Sequence, residues 1–316
     1  MKYYLGIDLG GTNIKAGITD ETGTILYKNA VRTLGQRPAE EIAKDMIDLC
    51  RFICRNAEIP LEQVEAVGIG IPGTVDEKKG TIVYANNLHM DGFPIGAVIG
   101  KALGKPVYLS NDANCAALGE FVNGSGKNYD SIVMVTLGTG VGGGIILKGK
   151  LWGGLDGSAA EIGHMVLKAG GEACSCGRTG CWEAYSSATA LIRDTVRAMK
   201  KHPESLLNTI QPDLKKVSAK TAFLGLAKGD AVAKEVVEQY LYYLSEGIAN
   251  IINTLAPDAV ILGGGVCNEG DTLLRPLREL VYPKCYGGET VRHPDLKIAS
   301  MGNDAGIVGA AMLWNS

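Results

Sequence analysis

The stretch YYLGIDLGGTNIKAGIT, residues 3–19, predicts two strands joined by a glycine-rich turn. Apolar and β-branched residues fill 3–8 and 14–19. Four residues that favour turns separate them: Gly10, Gly11, Thr12 and Asn13. A third strand is predicted over 24–31, after the turn residues that follow the second strand. The chain therefore opens with three consecutive strands.

The same order of elements recurs near the middle of the chain. Residues 131–137 predict a strand, 138–144 (GTGVGGG) a glycine turn, and 145–148 a second strand. We interpret this recurrence as an internal duplication of an α/β fold. The other predicted elements are a helix starting near Pro38, strands at 64–71 and 106–110 with a helix near 94–103 between them, a helix from near Asp112, a long helix over 231–255, strands at 259–262 and 296–300, and a short terminal helix from Asn303.

Two domains are expected from a chain of 316 residues, because single hydrophobic cores rarely grow beyond about 250–300 residues. We place a small N-terminal α/β domain at 1–118 and a larger α/β domain at 119–302. The terminal helix, 303–316, is predicted to pack back on the first domain.

Composition and charge exclude several classes of protein. The formal net charge is −3 and the pI is near 5.9, so there is no basic excess to neutralise a nucleic acid backbone. No apolar run approaches the roughly 18 residues of a membrane span. The first residues lead into a strand, and we expect no signal peptide. Eight cysteines without a disulfide framework indicate a reducing, cytoplasmic environment.

A cysteine-rich stretch follows the sequence EIGH at 161–164 and predicts a zinc site. The candidate ligands are His164, Cys174, Cys176 and Cys181. A Cys-x-Cys pair is too close to form an unstrained disulfide with itself, whereas three thiolates and one imidazole complete a tetrahedral zinc site. The carboxylates of Glu161 and Glu183 flank the cluster and are not needed as ligands. The alternative interpretation is three core cysteines beside a surface histidine.

Two glycine motifs have the spacing G-x-G-x-x-G but do not fit a dinucleotide fold, in which that motif opens a helix after its strand. The motif at 138–143 runs into IILKGK, which favours a hairpin, and the motif at 68–73 holds a proline followed by a turn. The chain also has no G-x-x-x-x-G-K-[ST] loop. A Rossmann oxidoreductase and a P-loop NTPase are both disfavoured.

Glycine-rich hairpin turns hold phosphate differently, because successive backbone N–H groups form an anion-binding concavity. We predict that the two turns clamp the triphosphate of ATP through Gly10, Gly11, Thr12, Asn13, Gly138, Thr139 and Gly140. Asp8 ends the strand before the first turn, where a carboxylate is placed to hold Mg²⁺ through water.

The segment SNDAN at 110–114 follows a predicted strand and begins a helix. Asp and Asn are preferred helix caps, so capping alone is one interpretation. The other is that Asp112 accepts the proton of an attacking hydroxyl, because phosphoryl transfer needs orientation and late proton removal more than a strong base. The residues alone leave both interpretations open.

Taken together, these motifs resemble the ROK family of bacterial sugar kinases and related repressors. The matching stretches occur in the family's order and span nearly the whole chain: DLGGTNIKAG at 8–17, GIPG at 70–73, NDAN at 111–114, LGTGVGGG at 137–144, the His-Cys-Cys-Cys set, and LGGGV at 262–266. The resemblance implies a two-lobed ribonuclease H-like fold of the actin and hexokinase type, with a central cleft. It also implies a homodimer and ATP-dependent phosphorylation of a hexose at its 6-hydroxyl, with glucose preferred.

The resemblance also implies roles for particular residues. Asp112 is the base and Asn111 orients the sugar, while Gly264 and Gly265 border the adenosine. The remaining sugar-binding positions are Glu161, His164 and Glu183, with Gly73 and Asn87 as looser matches. The zinc bound by the histidine and cysteines shapes the sugar pocket, and the enzyme belongs in carbohydrate metabolism, at the start of glycolysis.

Several alternatives stay open or are disfavoured. N-acetylmannosamine kinase, N-acetylglucosamine kinase and fructokinase are the other sugar kinases considered. A sugar-responsive repressor would carry a helix-turn-helix ahead of the first glycine strand, which begins here at residue 3. A sugar-binding protein without catalysis does not need both Asp8 and Asp112.

Overall fold

The computed structural model describes residues 1–85 and 88–316. The chain contains both strands and helices and opens with three consecutive strands, as the sequence predicts. In chain order the elements are β1 (Tyr3–Leu9), β2 (Asn13–Asp20), β3 (Ile25–Arg32), α1 (Ala39–Asn56), β4 (Val64–Ile71), β5 (Thr74–Asp76), β6 (Thr81–Tyr84), α2 (Ile95–Leu103), β7 (Val107–Asn111), α3 (Asp112–Asn123), β8 (Ile132–Leu137), β9 (Val141–Leu147), β10 (Lys150–Leu151), α4 (Glu183–Ser186), α5 (Ala188–Lys201), α6 (Leu207–Ile210), α7 (Ala219–Ala227), α8 (Ala231–Leu255), β11 (Ala259–Gly263), α9 (Asp271–Val281), β12 (Asp295–Ile298) and α10 (Ala305–Ala311).

Two five-stranded sheets share one strand order. The first runs β3-β2-β1-β4-β7 and the second β10-β9-β8-β11-β12. In the first sheet β1, β2 and β3 are antiparallel neighbours, and β4 pairs in parallel with both β1 and β7. In the second, β10 is antiparallel to β9, and β11 is parallel to β12. Counted in chain order, both sheets place their third, second, first, fourth and fifth strands side by side, which confirms the inferred duplication.

Helix α1 packs on the first sheet because its apolar residues recur on one face. Ile42, Met46 and Ile53 are fully buried in one hydrophobic cluster with Leu5 and Ile7 of β1. Full burial of an aliphatic side chain of this size stabilises a fold by about 1.5–3 kcal/mol. The cluster fixes β1, and with it the turn that follows β1.

Helix α10 approaches its neighbours closely because three of the facing residues are glycines. A Cβ atom on Gly6 of β1, Gly68 of β4 or Gly119 of α3 would overlap a backbone carbonyl oxygen of α10. Without side chains at these positions, helix backbone lies directly on strand and helix backbone. The C-terminal helix is thereby built into the first sheet's packing.

A buried carboxylate also joins α3 to the segment before α10. The two oxygens of Glu120 accept hydrogen bonds from the backbone N–H groups of Ser125 at 2.7 Å, Ser300 at 3.2 Å and Met301 at 2.7 Å. The side chain is fully buried, so these donors replace the water that the charge loses. Glu120 therefore holds two loops to the end of α3.

The chain divides into two compact units. The first comprises Met1–Met134, Gly144–Ala160 and Ala299–Ser316, and the second comprises Val135–Gly143 and Glu161–Ile298. This division differs from the one predicted at residue 118, which lies inside α3. The helix stays with the first unit over its whole length because α10 and Glu120 hold its second half there.

The glycine turn predicted over 138–144 is shorter in the structure. It spans 138–140, and β9 already begins at Val141. Gly144 lies inside the strand, where a Cβ would overlap the side chain of Ala117. The later glycines therefore serve close packing within a strand, a use that composition does not distinguish from a turn.

The long helix predicted over 231–255 has the same bounds in the structure. It is α8, with 25 residues and one buried face that includes Val237, Tyr240, Leu244 and Ile248. Across residues 1–85 and 88–316, no helix is both long enough and apolar enough to cross a membrane.

Candidate functional site

The turn at residues 10–13 is an exposed hairpin turn between β1 and β2. The N–H of Gly10 donates to the carbonyl of Asn13 at 3.0 Å and closes the turn. The hydroxyl of Thr33 donates to the carbonyl of Gly10 at 2.6 Å and supports it from β3's end. Gly11, Thr12 and Asn13 are exposed, so an anion can approach the turn.

Asp8 lies beside this turn with only 20% of its side chain exposed. Burial raises its pKa, and the ammonium group of Lys15 acts in the opposite direction. Lys15 Nζ lies 3.4 Å from Asp8 Oδ2 and 3.2 Å from Asn303 Oδ1. Sequence reasoning missed Lys15, although the antiparallel pairing of β1 with β2 sets it opposite Asp8. A carboxylate in this setting is suited to a cation in the turn.

Asn111, rather than Asp112, is the N-cap of α3. Its Oδ1 accepts from the N–H of Ala113 at 2.8 Å, and its Nδ2 donates to the carbonyl of Gly73 at 2.9 Å. Asp112 is the first residue of the helix, and its Oδ1 shares the Ala113 N–H at 2.9 Å. Asn111 thus performs the capping and also links two of the predicted sugar-side positions.

A second residue that sequence reasoning missed is Glu77, in the turn between β5 and β6. Its Oε1 accepts from the buried hydroxyl of Ser110 at 3.0 Å. Ser110 immediately precedes Asn111, so the contact supports the strand end from which Asp112 follows. No motif marks Glu77, since it lies on a polar turn among other charged residues.

The four predicted metal ligands lie together in the second unit. One donor atom from each of His164, Cys174, Cys176 and Cys181 lies within 4.8 Å of all the others. The Cys176 and Cys181 sulfurs are 3.7 Å apart, and the Cys174 sulfur is 3.6 Å from His164 Nδ1. Tetrahedral zinc with its usual bond lengths holds two sulfurs about 3.8 Å apart and a sulfur and nitrogen about 3.6 Å apart. The donor set and its spacing fit zinc.

His164 uses its two ring nitrogens in different directions. Nδ1 faces the cluster, whereas Nε2 lies 4.0 Å from the carboxylate of Glu161. Glu161 is exposed, with 66% of its side chain accessible, so it is open to a ligand. A metal-binding histidine commonly has its second nitrogen next to a carboxylate, which orients the ring.

The loop that carries the cysteines is held by α5 and α4. Glu172 accepts from both terminal nitrogens of Arg197, at 2.7 Å and 3.2 Å, and this pairing lowers the pKa of the Glu172 carboxyl group. The N–H of Glu172 donates to the hydroxyl of Tyr185 at 2.7 Å. These contacts fix the loop two residues before Cys174.

Glu183 links the cysteine loop to the glycine turn at 138–140. Its Oε2 accepts from the N–H of Val141 at 3.0 Å, and its Oε1 accepts from the hydroxyl of Ser175 at 3.1 Å. The thiol of Cys174 also lies 3.6 Å from Oε1. One carboxylate therefore contacts two of the loops that the sequence singles out.

The two glycine loops of the second unit are neighbours. The backbone of Gly264 lies against the carbonyl of Leu137, the residue before the turn at 138–140. A cavity of about 240 Å³ adjoins Gly265. Its other walls come from α7 and the turn after β11, namely Ala219, Lys220, Phe223, Val266, Asn268 and Glu269. The cavity combines an aromatic wall with polar side chains, as a purine and ribose require.

The predicted site residues form two groups, one in each unit. The first unit contains Asp8, the turn at 10–13, Gly73, Asn111 and Asp112. The second contains the turn at 138–140, the metal-ligand cluster, Gly264, Gly265, Glu161 and Glu183. Asn87, the remaining predicted sugar-side residue, lies outside the described residues.

Comparisons with known proteins show the family of the chain. Residues 4–316 match the ROK family. The glucokinase of Halalkalibacterium halodurans is 35% identical over 99% of this chain and 94% of its own length. The xylose repressor of Bacillus subtilis is 31% identical over 98% of this chain and 76% of its own length. A ROK family glucokinase from Streptomyces griseus, solved in complex with glucose and AMPPNP, superposes with a TM-score of 0.81 at 37% identity, covering 98% of each chain.

Proposed function

The chain belongs to the ROK family, and from this we propose that it is a glucokinase that transfers the γ-phosphate of ATP to the 6-hydroxyl of glucose. The observation that carries the proposal is the similarity to glucokinases over nearly their whole length, including one solved with glucose and an ATP analogue. The fold is the actin and hexokinase type of ATPase fold that the sequence predicts.

ATP binds through the three glycine loops. The turns at 10–13 and at 138–140 receive the phosphates, because oriented backbone N–H groups bind anions without a side-chain cation. The adenosine lies along Gly264 and Gly265 and fills the cavity beside them. This assignment is supported by the contact between Gly264 and Leu137, which brings two of the loops together.

Asp8 holds Mg²⁺, through water, next to the phosphates. The largely buried carboxylate fits a divalent cation, since burial disfavours its charge unless a positive charge lies near. When bound, Mg²⁺ neutralises charge that develops on the transferring phosphoryl group. Lys15 supports the same carboxylate from β2.

Glucose is held by polar groups of the cysteine loop, its flanks and the start of α3. Glu161, Glu183 and the Nε2 of His164 provide hydrogen bonds from the cysteine loop and its flanks. Asn111 contributes its remaining amide N–H, with Gly73 beside it and Asn87 as a further predicted contact. A pocket that pairs with each hydroxyl rejects epimers strongly, because a missing partner leaves a buried polar group unpaired.

Asp112 removes the proton of the 6-hydroxyl as the hydroxyl oxygen attacks the γ-phosphorus. The O–H bond breaks and the new P–O bond forms, while the bond from phosphorus to the β-bridging oxygen of ATP breaks. Capping by Asn111 supports this role, since α3 does not depend on Asp112 alone for its first turn. The protein contributes to this reaction by positioning the substrates and by accepting this proton.

Zinc would be bound by His164, Cys174, Cys176 and Cys181, and its function would be structural. It would fix the loop between Glu161 and Glu183, so that the two carboxylates keep their places. The homodimer, the cytoplasmic location and the domain boundaries at 118 and 302 remain predictions.

A coupled ADP-release assay with ATP and a panel of sugars tests the proposal. Glucose is expected to give the highest kcat/KM, ahead of mannose, fructose, N-acetylglucosamine and N-acetylmannosamine. A higher kcat/KM for an N-acetyl sugar would mean that this sugar, rather than glucose, is the acceptor of the kinase reaction. Absence of ADP release with every sugar, together with binding of xylose, would instead favour the repressor-like function suggested by the Bacillus subtilis relative.

A further inference from the structure

The turn at 138–140 packs against the carboxylate of Glu183, which the proposed function assigns to sugar binding. Glu183 Oε2 accepts the Val141 N–H at 3.0 Å. A Cβ atom on Gly140 would overlap Oε2 and lie 3.1 Å from the carboxylate carbon. A Cβ atom on Gly138, two residues earlier in the same turn, would meet no atom within 4 Å. The two glycines of the turn therefore differ in what they make room for.

The other carboxylate oxygen is held by the cysteine loop. Oε1 accepts from Ser175, which lies between the metal-ligand positions Cys174 and Cys176. With one oxygen on each loop, the Glu183 side chain cannot shift without breaking a hydrogen bond. A charged hydrogen bond of this kind contributes more than a neutral one, because the carboxylate carries a full charge.

We propose that Gly140 is a sugar-positioning residue, which couples the nucleotide turn to the sugar pocket by setting the place of the Glu183 carboxylate. The inference rests on the proposed function, in which the turn binds phosphate and Glu183 binds sugar. Phosphate bound at the turn fixes the Val141 N–H and, through it, Oε2. By linkage, nucleotide then raises the affinity for glucose by the same factor as glucose raises the affinity for nucleotide.

The test is glucose affinity without nucleotide, measured by calorimetry on the full-length protein. Gly140→Ala pushes the flexible Glu183 side chain aside, and we expect the Kd for glucose to rise by about 10- to 100-fold, the equivalent of one charged hydrogen bond. Gly138→Ala is the matched control and is expected to keep the wild-type Kd within about twofold, since the added methyl group meets open space. If Gly140 contributed only to nucleotide binding, Gly140→Ala would leave the Kd for glucose unchanged.

The second measurement is the same Kd in the presence of saturating AMPPNP. The wild type is expected to bind glucose about fivefold or more tightly with the analogue, and Gly140→Ala is expected to lose this difference. Equal glucose affinity in Gly140→Ala and the wild type overturns the inference. Equally weakened glucose binding in Gly140→Ala and Gly138→Ala also overturns it, because it would indicate a general effect of changing the turn.

Ser175→Ala provides an independent variant if Gly140→Ala does not fold. It removes the hydroxyl donor of Oε1 and leaves the weaker contact with the Cys174 sulfur, and we expect weaker glucose binding with an unchanged Kd for AMPPNP alone. Wild-type glucose affinity in this variant would contradict the role of Glu183 as the link. A wild-type protein that binds neither glucose nor AMPPNP would refute the proposed function itself, and this outcome is distinct from independent binding of the two.

Discussion

Two neighbouring residues at the start of α3 have different roles: Asn111 caps the helix, and Asp112 is the proposed base. Asn111 uses Oδ1 for the cap and Nδ2 for the carbonyl of Gly73. Asp112 shares the capped N–H but is the first helical residue, where the helix dipole favours a negative charge. The capping interpretation of the motif is correct for Asn111, and the proposed proton transfer falls to Asp112.

Replacing Asp112 separates these roles. We expect Asp112→Asn to lower kcat by at least about 100-fold, since general-base catalysis contributes roughly 10²–10⁴-fold. Glucose affinity, measured by calorimetry, is expected to change much less, because the amide keeps the shape of the side chain. A purified variant with near-normal kcat would show that the residue only supports the helix.

The residues that sequence reasoning missed have no local motif. Lys15 reaches Asp8 only because β1 and β2 pair in a particular register, and Glu77 reaches Ser110 across 33 positions of chain. The predicted residues lie in glycine turns or in a compact cysteine stretch, where local sequence carries the chemistry. Long-range partners depend on strand pairing, which no single segment encodes.

At the scale of elements, the cysteine loop has little regular secondary structure. Two isolated bridges, Val166 with Cys181 and Ala173 with Thr179, are its only strand-like pairings among the residues described. The ion pair of Glu172 with Arg197 is partly exposed, and such pairs contribute at most about 1 kcal/mol. A metal bound by four ligands would add to these contacts by joining His164 to the three cysteines.

Cys176→Ala tests the metal at this scale. Elemental analysis of the wild type is expected to give about one zinc per chain, and the variant is expected to lose zinc and glucose phosphorylation together. Cys50→Ala, which alters a buried cysteine of α1 outside the cluster, is expected to keep its zinc. An active wild-type protein without metal would end the zinc hypothesis, and a fully active, zinc-free variant would leave the metal no part in the pocket.

Helix α10 offers a test of how closely elements pack. Gly68→Ala places a methyl group where the carbonyl of Ala310 lies, and backbone cannot move aside as a side chain can. We expect a loss of about 2 kcal/mol or more in the free energy of unfolding, seen as a lower melting temperature. Gly138→Ala, whose methyl group meets no atom within 4 Å, is the control. Equal melting temperatures for Gly68→Ala and Gly138→Ala would mean that α10 can move away from β4 without loss of stability.

Sequence patterns located most elements but not their packing. Sequence patterns gave the start of α1 and both ends of α2 and α8 within two residues of the observed bounds, because each helix has one buried face. The short hairpin of β5 and β6 was missed, since three or four residues are too few for a period to emerge. The glycines of β9 misled the turn prediction because glycine also serves close approach.

At the scale of the whole molecule, duplication explains why two glycine turns have the same design. Each follows the first strand of a sheet, β1 in one case and β8 in the other. Each therefore presents a hairpin turn at the same point of its half, and the N–H of the first glycine, Gly10 or Gly138, closes the turn. The proposed function assigns both turns to the phosphates of ATP, because a glycine turn lets backbone N–H groups approach an anion.

The proposed chemistry requires both units to act on one sugar, and this has a measurable consequence. Asn111 and Asp112 belong to the first unit, whereas Glu161, His164 and Glu183 belong to the second. A glucose that contacts both sets, as the proposed function requires, restricts the protein to its more compact conformations and excludes water, which would otherwise compete with the 6-hydroxyl for phosphate. We expect glucose to lower the radius of gyration in solution scattering, with a poor substrate at the same concentration lowering it less. An unchanged radius at saturating glucose would mean that both sets are already in place without sugar.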